Sequence, residues 1–164
     1  MHEKLQGENS VKPPKQFITL EDVVAFAVRR EDTAHRLYLN AAQKTNSISS
    51  RKMFEELAHE ELGHKHSFEK LDFGRTEQYT FADHPDMHLA DYMVDMPFRE
   101  DMTYDEILRF AMKTEEAAYK LYTAASHMTS DPKLQKMLLV LADIEKGHKQ
   151  RIESIYDEHV LTEN

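Results

Sequence analysis

Two short stretches of the chain place the same acid and the same base at the same spacing. Glu61-Leu62-Gly63-His64 and Glu145-Lys146-Gly147-His148 both read Glu-x-Gly-His. Three residues make nearly one helical turn, so on a helix each carboxylate and imidazole would share a face. Such a pair is a natural donor set for a divalent metal. Both pairs interrupt apolar stripes. The first stripe is Phe54, Leu57, Glu61, His64, Phe68, Leu71, and the second is Leu138, Leu141, Glu145, His148, Ile152, Ile155. Their steps of 3 and 4 describe a core-facing seam.

Two more glutamates sit alone in apolar rows. Glu31 lies among Val24, Ala27, Val28, Ala34 and Tyr38, and Glu115 among Leu108, Ala111, Met112, Ala118 and Tyr122. Buried together, four carboxylates would repel one another strongly and some would have to stay protonated. Two divalent cations remove the problem, because their charge balances the four glutamates while the histidines bind as neutral ligands. A Glu on each of two helices with Glu-x-x-His on the other two is the ligand set of di-iron and di-manganese carboxylate bundles. Iron is the expected metal, two ions per chain, with Mn or Zn as alternatives.

Other candidates read more weakly. Glu56 and His59 repeat the Glu-x-x-His spacing but lie off the stripe. His59-Glu60-Glu61-Leu62-Gly63-His64 is one residue too long for a zinc-protease HExxH motif. His84 and His88 read as polar loop residues, and His66 as solvated. His35, one turn after Glu31, is a candidate hydrogen-bond donor to the centre or an extra ligand; its counterpart is Tyr119. Tyr38 and Tyr122, two turns after Glu31 and Glu115, are candidate donors to a ligating carboxylate.

The positioning elements emerge from an internal repeat. A slide of 84 residues sets 19–70 over 103–154 without a gap, and 18 of the 52 pairs are identical. Each copy reads as helix, short turn, helix. Thr19 with Asp22 and Thr103 with Glu106 form capping-box patterns. Asp131-Pro132 is a cap followed by proline at the first helical position. The expected helices cover about 20–44, 50–71, 104–128 and 132–157. The short turns imply antiparallel hairpins, and the connection over roughly 72–102 is long enough to traverse the bundle. The expected fold is therefore all-α: a ferritin-like four-helix bundle, two antiparallel hairpins joined by a long crossover.

Composition agrees. With 164 residues, the chain suits one domain over 18–164, preceded by a loosely ordered leader over 1–17. There is no Cys, which excludes disulfides, thiolate zinc sites and ordinary iron–sulfur clusters. A net charge of −9 gives no footprint for nucleic acid or an anionic membrane surface. No apolar run would span a bilayer and no h-region marks a signal peptide, so the expected location is cytoplasmic.

Over about 19–157 these residues resemble the rubrerythrin-like branch of the ferritin-like superfamily. The resemblance rests on Glu31 with the following AHRLY, on LAHEELGHK, on LADYMVDMPF, on Glu115 with AAYKLY, and on LADIEKGHK. It implies a non-haem di-iron oxidoreductase that reacts with O2 or peroxide, and a homodimer. Iron handling, as a ferroxidase or metal carrier, is the alternative, followed by a bundle whose metal only stabilises the fold. Two departures stand out. The chain shows no rubredoxin-type domain and no Cys, so electrons would come from a separate donor protein. Rubrerythrin carries a further glutamate one turn after the third-helix glutamate; here that position is Ala118. The centre expected here is more symmetric, like that of ferritins and simpler di-iron oxidases.

Overall fold

The computed structural model describes residues 18–71, 89–93 and 95–163. The expected leader, most of the crossover, and His84 and His88 within it lie outside the described residues. The elements are α1 (Leu20–Lys44), α2 (Ile48–Glu69), the one-turn α3 (Leu89–Tyr92), α4 (Tyr104–Met128) and α5 (Pro132–Glu163). The described residues form no strand. The four long helices make a bundle of two hairpins, α1–α2 and α4–α5, which meet mainly along α1 and α4.

Local chemistry sets the helix ends. The amide of Asp22 donates to Thr19 Oγ1 at 3.1 Å and the amide of Thr19 to Asp22 Oδ2 at 2.9 Å. Thr103 and Glu106 repeat the reciprocal pair at 3.2 and 2.9 Å. Both boxes satisfy amides that a helix start leaves without partners. Helix α2 begins two residues before the expected 50, because Ser47 is the cap and its hydroxyl accepts from the Ser50 amide at 3.2 Å. It ends at Glu69 rather than 71. Helix α5 outruns the expected 157 and reaches Glu163. Its added turns keep a contact with α4: the His159 ring meets Tyr104 edge-on at 5.0 Å.

The core comes in two apolar blocks. One contains Val23, Ala27, Phe68, Leu121, Tyr122 and Leu138, and the other Leu37, Tyr38, Phe54, Leu57, Leu108 and Ile152. Along every long helix the glutamate of the site falls between the segments that enter the two blocks. A polar layer thus crosses the bundle at mid-height. Matching ion pairs pin each hairpin beside it. Lys65 Nζ lies 2.8 Å from Asp32 Oδ1, and its repeat partner Lys149 lies 3.0 Å from Glu116 Oε2. Among the described residues no helix is long and apolar enough to cross a membrane.

Leu138 is fully buried and its neighbour Leu139 is 44% exposed. Leu138→Ala is expected to cost about 2–5 kcal/mol, and Leu139→Ala about 0.5 kcal/mol or less. Urea unfolding of the two variants checks both values.

Candidate metal centre

Each long helix delivers one glutamate to the polar layer. Glu31 comes from α1, Glu61 from α2, Glu115 from α4 and Glu145 from α5, and all four are fully buried. His64 and His148 join them from α2 and α5, their rings stacked at 5.9 Å with an interplanar angle of 14°. The donor atoms gather into two overlapping groups. Glu31, Glu61, His64 and Glu145 form one, and Glu61, Glu115, Glu145 and His148 the other; within each, the atoms lie within 4.8 Å of one another. Glu61 and Glu145 belong to both. The structure brings together all six residues singled out by spacing.

The tyrosines tie the hairpins across this layer. Tyr38 of α1 donates its hydroxyl to Glu115 of α4. Tyr122 of α4 donates to Glu31 Oε1 of α1 at 2.6 Å. Each tyrosine therefore serves the glutamate of the opposite helix, as the antiparallel docking of α1 and α4 requires. Burial and the neighbouring carboxylates raise both phenols well above their usual range, so they stay protonated and act as donors.

His35 and Tyr119 lie apart from the cluster. The His35 Nδ1 is 2.7 Å from the Ala58 carbonyl oxygen. Tyr119 packs beside the first apolar block and takes Lys146 Nζ over its ring at 5.6 Å. His59 and His66 are exposed, and Glu56 pairs with Arg151 at 3.4 Å.

Two functional residues escape a reading of motifs. The first is Arg30, whose side chain is 8% exposed. Its Nη1 lies 3.1 Å from Glu31, 3.0 Å from Glu145 and 3.7 Å from Glu61, and its Nη2 lies 2.9 Å from Glu115. A signal existed: Arg30 is the one charged member of the row Val23, Ala27, Arg30, Ala34, Leu37, Ala41, whose other members are buried. The second is Glu60. Its Oε2 lies 2.6 Å from His148 Nε2, while His148 Nδ1 faces Glu61 Oε1 at 3.1 Å. A carboxylate on the outer nitrogen fixes the ring so that the inner nitrogen faces the cluster.

The electrostatics of the layer suit a cation. Burial raises every glutamate in it, and the nearby charges then divide them. Arg30 and His64 draw Glu31 far below the usual carboxylate range, and Arg30 draws Glu115 down to about 2. Glu61 and Glu145 are raised well above that range by burial and by the charges of Glu31 and Glu115. Burial disfavours the His64 cation, but hydrogen bonds to Glu145, Glu31 and Glu61 push it up to about 12. One oxygen, Glu115 Oε2, is buried without a hydrogen bond, because Arg30 Nη2 approaches it closely but not along an N–H direction. An orphaned carboxylate oxygen beside convergent carboxylates and imidazoles fits a bound divalent ion.

A family model described as Rubrerythrin matches residues 21–87 and 106–164. No curated protein matches the chain in sequence. Two solved structures share the fold. One is a Thermotoga maritima protein described as ferritin-like and diiron-carboxylate. It is 22% identical, with a TM-score of 0.65, covering 87% of this chain and 97% of that one. The other is a hypothetical protein from Pyrococcus furiosus. It is 24% identical, with a TM-score of 0.66, covering 85% of this chain and 89% of that one.

Metal binding has to displace protons from Glu61, Glu145 and His64. Affinity for Zn(II) or Mn(II) should therefore rise between about pH 6 and about pH 8, with protons released on binding. Calorimetry in buffers of different ionisation enthalpy reads the release directly; a pH-independent affinity would contradict it.

Proposed function

The chain belongs to the rubrerythrin family, and from that premise we propose that it is a non-haem di-iron oxidoreductase acting on O2 or peroxide. The observation that supports this most is the pair of overlapping donor groups sharing Glu61 and Glu145. One ion would be held by Glu31, Glu61, His64 and Glu145, and the other by Glu61, Glu115, Glu145 and His148. Iron bound there supplies redox chemistry toward an oxygen-containing oxidant.

The protein's own groups have defined tasks. The apolar blocks above and below keep bulk water from the layer, which strengthens every charge interaction inside it. Tyr38 and Tyr122 hold Glu115 and Glu31 in place by donating to them. Glu60 orients His148. Glu61, Glu145 and His64 hold protons that cation binding would release. The partners that follow are O2 or peroxide and a separate electron-donor protein, since the chain has no Cys to carry an iron–thiolate centre. The assembly we expect is a homodimer in the cytoplasm.

One observation favours iron handling as a second reading. Ala118, where rubrerythrin has its further glutamate, is 3% exposed within an apolar block, so the two half-sites stay alike. A ferroxidase of this kind would oxidise Fe(II) repeatedly and retain more than two irons per chain.

Anaerobic Fe(II) titration should give two irons per chain, and O2 or peroxide should then oxidise both, seen as a new di-ferric absorption. Two bound irons that neither oxidant changes would end the oxidoreductase reading. Glu61→Ala and Glu145→Ala should behave alike, each lowering the metal content below two. Two metals retained in either variant would show that the ligands are assigned wrongly.

A further inference from the structure

A cavity of about 250 Å³ lies between α1, α4 and the segment that carries Tyr92, Asp95, Met96 and Pro97, next to the carboxylate layer. Its walls are largely apolar, with Phe26, Leu37, Phe110 and Ala117 among them. Phe26 and Phe110 are repeat partners, so the cavity straddles the junction of the two halves. Among the repeat pairs that line it, the symmetry of charge breaks at one place. Arg30 and its repeat partner Thr114 both line the cavity, and only the first carries charge. Arg30 is also the link to the site, because its guanidinium lies among the four glutamates. Its Nε is buried without an acceptor.

Charge and space together constrain what Arg30 does. Its Nη1 meets Glu31, Glu61 and Glu145, the same three carboxylates that make up the first donor group with His64. A divalent ion in that group and the guanidinium would compete for one place. Two such ions also neutralise the four glutamates, which leaves the arginine as a buried charge in excess. A buried cation without a partner is strongly disfavoured. The cavity beside Arg30 gives it room to turn. Among the described residues the one acid in the cavity wall, Asp95, is mostly exposed and sits 3.7 Å from Arg29. With metal bound, the cavity would have apolar walls and a cationic floor.

We propose that this cavity binds a small apolar carboxylate whose head group pairs with Arg30 when metal ions occupy the glutamates. This rests on the metal-binding reading above. A planar guanidinium favours a carboxylate through paired N–H donors. The volume falls just below the ~300 Å³ at which pockets for drug-sized ligands begin, so the ligand is a short aliphatic or single-ring acid.

The full chain loaded with Zn(II), which is redox-inert, provides the test. Its metal content is measured first, and hexanoate, phenylacetate and hexanol are then titrated calorimetrically. Both acids should bind, the alcohol at least roughly tenfold more weakly. Metal-free protein should bind the acids at least about tenfold more weakly, because Arg30 is then engaged by the glutamates. Compared at equal measured zinc content, Arg30→Gln should cost about tenfold in carboxylate affinity, and Arg30→Lys, which keeps the charge, should restore part of it. Ala117→Phe, which fills the cavity, should abolish binding. A chain that carries two zinc ions but binds neither acid overturns the proposal and leaves the metal site standing. Undiminished binding in Arg30→Gln also overturns it, since the acid would then be sitting on the metal. A chain that takes up no zinc overturns both readings.

Discussion

The structure turns on mutual repulsion among four carboxylates placed at one height in a water-excluding core. Each long helix contributes one, and each is fully buried. In a low-dielectric interior, such a layer is tolerable only if cations and donors converge on it. Nearly every specific contact around the layer answers that need. Arg30 reaches all four acids, the two tyrosines donate across the hairpin boundary, and His64 and His148 face the acids from the opposite helices. The apolar blocks on either side keep solvent from relieving the repulsion by other means.

Much of this was legible from residue order. The helix starts at Leu20 and Tyr104 follow from their capping boxes, because an unsatisfied first turn is a local problem with a local solution. The six acids and bases of the centre were legible because an 84-residue repeat put them in register on apolar stripes. The end of α5 was not, since no glycine or proline stops it and a contact with Tyr104, distant in sequence, holds its last turns. Arg30 was hidden for a different reason. It stands next to Glu31 in the charged run Arg29-Arg30-Glu31-Asp32, which reads as a solvated face and masks its place in the row Val23, Ala27, Ala34, Leu37, Ala41. The partner of each tyrosine was equally invisible. Spacing puts Tyr38 two turns from Glu31, whereas docking gives it to Glu115.

The two halves match in their ligands and differ in the residues around them. Arg30 faces Thr114 across the repeat, and Glu60, which orients His148, corresponds to Ile144. The duplicated positions hold the charge pattern that a pair of cations demands. The diverged positions make the two sides inequivalent: one side of the layer gains an arginine beside a cavity, and one histidine gains a carboxylate on its outer nitrogen. The two donor groups therefore have unlike surroundings.

The crossover between α2 and α4 also has an entropic consequence. Because one chain carries both hairpins, their meeting is an intramolecular event. Two separate hairpins with the same faces would have to overcome the repulsion of their buried acids and the loss of independent translation at the same time. Tethering removes the second burden. A bundle of this kind can thus keep an acidic interior assembled and ready for cations, where an untethered pair would have to wait for metal to bring it together.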